Sequence, residues 1–312
     1  MLTFSASSRW FPSVLATAGL ICLLAQPPAA LAWGNGGHRL INKLAASSLP
    51  ADVPAFLRSP EAAAEIEYLG PEPDRWRSPA EPELNAVQAP DHFIDLEDAA
   101  NVVGMNIPHR RYDFITIALA NRQDPAKIGF QPWETEEIWE RLKAALREYR
   151  KLQAAGKSTR EVEQAAIFYA GWLGHYVGDG SQPLHTTVNY NGWVCCTNPN
   201  DYTTDHKIHW QFEGTFVAAN ITSADVAAKL TPAAEIKGDI FDKYVAYLNT
   251  SHGYVEKVYQ LEKEGALNGK GTQESRDFTA SRIAAGASML RDLIYTAWLR
   301  SADPVSDPYA KK

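Results

Sequence analysis

Apolar residues recur at helical spacing through most of this chain, and they predict a mainly helical protein. The clearest run extends over residues 161–177, with apolar positions at Val162, Ala165, Ala166, Tyr169, Trp172, Leu173 and Tyr176. Further helices are predicted over residues 38–48, 61–68, 112–121, 134–152, 205–213, 222–229, 235–262 and 274–302. The expected fold class is therefore all-α.

Four segments are expected to lie outside these helices. Dense glycines predict an irregular turn over residues 33–37, and prolines predict a loop over residues 70–77. Residues 89–98 are predicted to contain a short extended segment that presents His92 and Asp95, and residues 186–204 to form a polar loop that walls a cleft. Gly178, Gly180 and Pro183 are expected to end the central helix soon after Val177.

The first 32 residues have the pattern of a secretory signal peptide. Arg9 is followed by an apolar run over residues 14–24 and then by a small-residue cleavage site, Ala30-Leu31-Ala32. The mature chain is then expected to begin at Trp33 and to form one domain, residues 33–312, in the periplasm or outside the cell. No later segment is apolar enough over its length to insert stably in a membrane.

Charge and cysteine content narrow the function classes. The formal net charge is −7, so the protein has no general field that attracts nucleic acid or anionic lipid, and phosphate binding needs a local site. Cleavage would leave only Cys195 and Cys196, which are compatible with a vicinal disulfide or with two free thiols. A metal site on both is disfavoured, because adjacent side chains point apart.

The central helix carries the first candidate chemistry. His175 and Asp179 are four residues apart and share one helix face, which suits two ligands of one metal ion. The turn after the helix can bring His185 back towards them. Taken alone, this pattern is equally typical of a helix end whose histidine interacts with the helix dipole.

Other motifs add further candidate ligands. They are Asp74 beside Arg77, His92 close to Asp95, His209 four residues before Glu213, and His38 with the Trp33 amine that signal cleavage would free. Each alone is explained by surface ion pairs or a frayed terminus. Together they offer too many groups for one ion, and nitrogen and oxygen donors suit zinc in open catalytic sites.

In combination these motifs resemble those of the zinc-dependent type I nucleases, which are single-strand-specific, and of the related bacterial zinc-dependent phospholipases C. The resemblance extends from Trp33 to about Trp298. It is carried by Trp-Gly-x-x-Gly-His at the processed N-terminus, His-Phe-Ile-Asp, His-x-x-x-Asp-x-x-x-x-x-His and His-x-x-x-Glu, in this order. It implies a single helical domain with a zinc cluster at the base of a cleft.

The resemblance implies about three zinc ions per chain. Asp74, His92 and His175 would hold the first, and Asp179 would bridge it to the second. Trp33, through its amine and carbonyl, and His38 would complete the second site. His185, His209 and Glu213 would hold the third.

The activity implied is phosphodiester hydrolysis by a metal-bound hydroxide, with single-stranded DNA, RNA and 3′-nucleotides as substrates. Asp74 would orient or deprotonate the water, and Arg77 would stabilise the transition state. Phe93 would stack on a base and Asp95 would hydrogen-bond it; otherwise Phe93 belongs to the core. No obligate protein partner is inferred.

Two alternative functions remain open. Glu213 stands where the nucleases carry Asp, and Asn189-Tyr190-Asn191-Gly192-Trp193 replaces their Gly-Gly-Asn loop, which favours a phospholipase C acting on phospholipids. Gly36 stands in place of the phospholipases' choline-site glutamate, which favours the nuclease. The third function is that of a secreted zinc-binding helical protein without catalysis.

Overall fold

The structure is a computed structural model that describes residues 33–104, 106–198 and 200–305. The predicted signal peptide lies outside these ranges. Within them the regular structure is helical apart from one isolated bridge between Tyr190 and Gly192, so the predicted all-α class is confirmed. None of the helices in these ranges combines the length and apolar composition that a membrane span requires.

The α-helices, in chain order, are α1 Gly34–Ser47, α2 Pro60–Leu69, α3 Glu72–Trp76, α4 Pro82–Gln88, α5 Leu96–Val103, α6 Arg111–Ala120, α7 Pro125–Ile128, α8 Gln131–Ala154, α9 Arg160–Ser181, α10 Ile208–Trp210, α11 Val217–Asn220, α12 Ser223–Ala227, α13 Ile240–His252, α14 Val255–Lys263 and α15 Gln273–Arg300. Short 3₁₀ turns cover Ala55–Arg58, Ala89–His92 and Pro183–His185, and a π-helical turn covers Gln211–Phe216.

Helix α9 is the centre of the molecule. Helices α1, α2, α8, α13 and α15 all pack against it, and its C-terminal half is buried on nearly every side. On α15, Leu290, Leu293, Ile294 and Ala297 are buried in the core, while Met289 and Trp298 are partly buried against it. Polar side chains on a helix that is buried on all sides need to contact one another or a bound ligand, because a buried polar group without a partner costs free energy.

Glycines on α9 let its neighbours approach closely. A Cβ on Gly174 would lie 1.9 Å from Asn42 Oδ1, and one on Gly171 would lie 2.5 Å from Leu69 Cβ. A Cβ on Gly178 would lie 2.9 Å from the His38 ring. The glycine face of α9 is therefore what brings α1, and His38 with it, against the central helix.

The prediction that the central helix ends soon after Val177 was wrong. Helix α9 continues through Gly178 and Gly180 to Ser181, because these glycines are required for packing: a Cβ on Gly180 would lie 2.5 Å from Tyr244 Oη. Pro183 does stand just beyond the helix and begins the turn that carries His185.

The predicted N-terminal turn is also helical in the structure. Helix α1 begins at Gly34, and the Gly37 N–H bonds the Trp33 carbonyl at 3.0 Å. A Cβ on Gly37 would lie 2.7 Å from Trp33 Cβ, so the glycine makes room for a buried tryptophan.

Three further predictions need correction. Residues 72–76 of the expected proline-rich loop form helix α3, because proline is tolerated in a first helical turn. The expected helix over 235–262 begins only at Ile240, where Asp239 caps the Asp242 N–H, and it divides at Gly253. The expected helix over 205–213 starts at Ile208 and then widens into the π-helical turn.

The predicted extended segment is shorter than expected, because Ala89–His92 forms a 3₁₀ turn and α5 begins at Leu96, which leaves only residues 93–95 extended. The Ile94 N–H bonds the His185 carbonyl at 3.0 Å, and the Asp95 N–H bonds the Ile128 carbonyl at 2.8 Å. Gly129 passes so close that a Cβ there would lie 2.1 Å from the Phe93 carbonyl oxygen. The chain around Phe93 is thereby held from two sides.

Candidate metal centre

Eight ionisable side chains from distant parts of the chain meet in the protein interior. They are His38, Asp74, His92, His175, Asp179, His185, His209 and Glu213, and each is at most 7% exposed. These residue types are seldom buried to this degree without a partner. All eight are side-chain ligands that the sequence predicted.

Each of these side chains comes from a helical segment aimed at the centre. Helix α1 carries His38, α3 carries Asp74, and α9 carries His175 and Asp179 on one face. The 3₁₀ turns carry His92 and His185, and the α10–π segment carries His209 and Glu213. A π-helical turn is rare and is frequently found at functional sites.

The side chains form three buried groups in which the ligand atoms lie within 4.8 Å of one another. The groups are His38 with Asp74 and His175, His92 with His175 and Asp179, and His185 with His209 and Glu213. The first two share His175, and the third is adjacent because His185 Nδ1 is 3.9 Å from Asp179 Oδ2. These groups could hold metal ions.

Asp179 contacts histidines with both of its oxygens. Its Oδ1 lies 3.3 Å from His38 Nε2, whereas its Oδ2 lies 3.1 Å from His92 Nδ1 and 3.4 Å from His175 Nε2. A carboxylate whose two oxygens face two different ligand sets has the geometry of a bridging ligand.

The separations between ligand atoms fit tetrahedral metal binding. Two ligands of a zinc ion at about 2.0–2.1 Å lie about 3.3 Å apart in a tetrahedral site. His92 Nδ1 is 3.0 Å from His175 Nε2, and His185 Nε2 is 3.6 Å from Glu213 Oε2. Both separations are close to the tetrahedral value.

Backbone carbonyls orient three of the histidine rings. Nδ1 lies 2.8 Å from the Gly70 carbonyl in His175, 2.7 Å from the His92 carbonyl in His185, and 2.9 Å from the Tyr190 carbonyl in His209. Each Nδ1–H then donates to its carbonyl, which leaves the Nε2 lone pair pointing into the cluster. This second contact is typical of metal-ligating histidines.

Several buried atoms of the cluster have no hydrogen-bond partner in the described part of the chain. They include both carboxylate oxygens of Asp74 and Nε2 of His92. Buried polar atoms without partners cost free energy. Because carboxylate oxygens without hydrogen bonds lie among histidine nitrogens here, a bound cation is a group that they fit.

Burial is the largest influence on the pKa values of four ligands in the first two groups. It raises the pKa of Asp74 to about 7 and raises the pKa of Asp179 well above its usual value, while it lowers the pKa of His92 and His175. All four shifts favour the neutral forms. Only a positive charge among them makes two buried carboxylates favourable as ions.

The third group is electrostatically different. Burial alone would raise the pKa of Glu213, but the charge of His209 and hydrogen bonds from His185 and His209 lower it to about 2. Burial also opposes protonation of His209, yet Glu213 raises the pKa of that histidine. The Gln182 amide donates to Glu213 Oε2 at 2.9 Å and fixes the carboxylate in place.

Trp33 lies at the edge of the cluster and is fully buried. Its indole N–H bonds the Gly178 carbonyl and Ser181 Oγ, both at 2.8 Å. Its backbone nitrogen is 3.3 Å from Glu213 Oε2. The resemblance assigns Glu213 to the third ion, whereas it assigns Trp33 to the second. In the full-length chain this nitrogen is an amide, so only a chain that begins at Trp33 has an amine there.

The cluster opens into a pocket of about 340 Å³. His92, His185 and His209 line it, and so do the predicted residues Arg77, Phe93 and Asp95. Phe93 is only partly buried, while its neighbour Ile94 is fully buried in the core. This contrast supports a pocket position for the phenylalanine. Arg77 Nη1 is 3.6 Å from Asp74 Oδ1.

The pocket has lining residues that sequence reasoning did not select. Lys127 comes from α7, and Tyr190 comes from the predicted polar loop. The position of Tyr190 five residues after His185 was the available signal. The same loop contains a disulfide between Cys195 and Cys196, which is one of the two states left open for this pair.

Comparison of the chain with protein-family models, with curated proteins and with solved structures finds no match.

Proposed function

We propose that this protein is a zinc-dependent phosphoesterase that hydrolyses the phosphodiester bonds of single-stranded nucleic acid, with 3′-nucleotides as further substrates. One observation carries the proposal. Two of the three buried ligand groups contribute His92, His185 and His209 to the wall of a pocket that also presents an aromatic ring and a guanidinium. A phosphate placed there would meet cationic groups, and its substituents would meet apolar and polar side chains.

Zinc is the proposed metal because the donors are only nitrogen and oxygen and their spacing suits tetrahedral binding. The assignment follows the resemblance: Asp74, His92 and His175 for one ion, Trp33 and His38 for the second, with Asp179 between them. The third ion would be held by His185, His209 and Glu213. Bound zinc would supply Lewis-acid stabilisation of the phosphate charge and an activated water at neutral pH.

The chain itself would position the reaction. Arg77, at the pocket wall, is assigned to the phosphate oxygens. Asp74, with two oxygens lacking hydrogen-bond partners, is assigned to orient or deprotonate water. Phe93 would stack on a base, and Asp95 beside it would hydrogen-bond the edge of that base.

A zinc-dependent phospholipase C is the second candidate. The observation that favours it is Glu213, the residue expected in that branch, whose carboxylate lies 3.0 Å from His209 Nε2. The same ligand cluster would serve both enzymes, so the substituents of the phosphate decide between them.

The experiment compares turnover of single-stranded DNA, RNA, a 3′-nucleotide and phosphatidylcholine, with zinc and after chelation. The proposal predicts zinc-dependent turnover of the nucleic acids and of the 3′-nucleotide. Turnover of phosphatidylcholine alone would indicate a phospholipase C. Binding of zinc without turnover of any substrate would indicate a non-catalytic protein.

Two variants check that the cluster is responsible. His92→Ala removes a ligand and should abolish turnover of every substrate. His109→Ala is the matched control, because the His109 side chain is 52% exposed and lies outside the three buried groups. Equal loss in both variants would show a general effect on folding.

A further inference from the structure

Tyr190 presents an aromatic ring to the pocket beside the third ligand group. The residue is 53% exposed, lines the pocket, and its ring centroid lies 6.0 Å from that of His209. Other exposed tyrosines, such as Tyr112 at 80%, do not line it. An exposed tyrosine ring is ordinary on a surface, but its place beside the candidate ligands is not.

The loop holds the backbone of Tyr190 firmly. Its carbonyl oxygen lies 2.9 Å from His209 Nδ1 and accepts from it. The preceding Asn189 accepts the Val194 and Cys195 N–H groups, each at 2.9 Å, and its carbonyl accepts from Tyr259 Oη at 2.6 Å. A ring on a fixed backbone loses little conformational freedom when a flat group stacks on it.

Phe93 and Tyr190 line one pocket from separate segments of the chain. Phe93 directly follows His92 of the second group, whereas the ring of Tyr190 lies 6.0 Å from that of His209 in the third group. Two cationic side chains, Arg77 and Lys127, line the same pocket. A substrate that uses both rings and the cationic side chains has an anionic centre that links two flat aromatic groups.

We infer that Tyr190 is a specificity-determining residue that stacks on the nucleobase across the scissile phosphate from the base held at Phe93. This inference rests on the proposed function. It names a dinucleoside phosphate as the smallest substrate that uses the whole pocket, since a 3′-mononucleotide has only the base that Phe93 takes. Because stacking on an aromatic ring is independent of base identity, Tyr190 would select substrates that have a second base and would accept any base there.

The test compares Tyr190→Ala with the unchanged protein on a dinucleoside phosphate and on a 3′-mononucleotide. Loss of one stacked base should lower kcat/KM for the dinucleoside phosphate by about 5- to 150-fold, mainly through KM. Hydrolysis of the mononucleotide should stay within about twofold, because its single base does not reach Tyr190. Tyr190→Phe should retain both activities, and Tyr112→Ala is the matched surface control.

Binding of a non-hydrolysable dinucleoside phosphorothioate tests the same contact without turnover. The dissociation constant should rise by a similar factor in Tyr190→Ala and not in Tyr190→Phe. An unchanged dissociation constant would overturn the inference even if the protein is a nuclease. Equal loss on both substrates would also overturn it, because Tyr190 would then act by supporting His209. Failure of the unchanged protein to hydrolyse any nucleotide, with binding still dependent on Tyr190, would reject only the proposed function.

Discussion

At the scale of single residues, neighbouring positions in the extended segment have opposite environments. Ile94 is fully buried in the core, while Phe93 and Asp95 line the pocket. The hydrogen bonds on both sides of this segment fix which side chain faces inward. The candidate metal ligand His92 and the candidate base-binding residues therefore occupy one short, rigid segment of the chain, so single substitutions can separate their roles.

Phe93→Ala should remove roughly 1–3 kcal/mol of base stacking, because an aromatic surface is lost while the ligands are unchanged. The loss should appear as a higher KM for oligonucleotides, with little change for an abasic phosphodiester of the same sugars. Phe93→Leu is the control, since it keeps apolar volume and loses the ring. Should Leu restore full activity, Phe93 contributes packing and not stacking.

Asp95 should make base preference depend on pH. Burial, followed by the charges of Glu97 and Asp98, raises the pKa of Asp95 to about 8. Below that pH the neutral carboxyl can donate a hydrogen bond, and above it the carboxylate can only accept. We expect the ratio of kcat/KM between two bases to change near pH 8 and to become pH-independent in Asp95→Asn. The same pH dependence in both proteins would remove Asp95 from base recognition.

At the scale of elements, the contact between α9 and α1 depends on glycine. In Gly174→Ala the new methyl group would lie 1.9 Å from Asn42 Oδ1 and 2.6 Å from Leu290 Cδ2. We expect a lower free energy of unfolding, by about 1–3 kcal/mol, from overpacking. The measurement is denaturant unfolding of both forms.

Gly36→Ala is the matched control, because it also lies in a helix and its Cβ would meet nothing within 4 Å. It should be neutral or stabilise by about 0.4–1 kcal/mol. Equal stability of the two variants would mean that α1 and α9 are not closely packed.

The parts of the site predictable from sequence are those with local spacing. His175 and Asp179 share a face of α9, and His209 and Glu213 meet across the π-helical turn, because residues four apart in a helical segment are neighbours. The end of α9 could not be read locally. Gly178 looks like a helix stop in isolation, and only the tertiary contact with His38 shows why glycine stands there.

Long-range assembly sets the rest of the site. Lys127 and Tyr190 reach the pocket from a short helix and a loop; the sequence marks Tyr190 only by its position five residues after His185, and no spacing pattern marks Lys127. Grouping His38 with Asp74 and His175 likewise depends on how α1 and α3 pack on α9, which no local pattern encodes.

At the scale of the whole molecule, the first residue of the predicted mature chain lies at the edge of the ligand cluster. Trp33 is fully buried, with its backbone nitrogen 3.3 Å from Glu213 Oε2. A chain that keeps Met before Trp33 should lose most activity and bind about one ion fewer, because an amide cannot replace an amine ligand. A chain that starts at Trp33 is the control. Full activity of the extended chain would exclude the amine as a ligand.

The whole molecule has a formal net charge of −7, yet it buries carboxylates and histidines together at its centre. Such a centre is favourable when cations occupy it, so the proposed function depends on bound metal ions. The most direct test is elemental analysis of the purified chain beginning at Trp33. We expect about three zinc ions per chain, held by Trp33 and the eight buried side chains as assigned in the proposed function. Active protein with one metal ion or none would contradict the account.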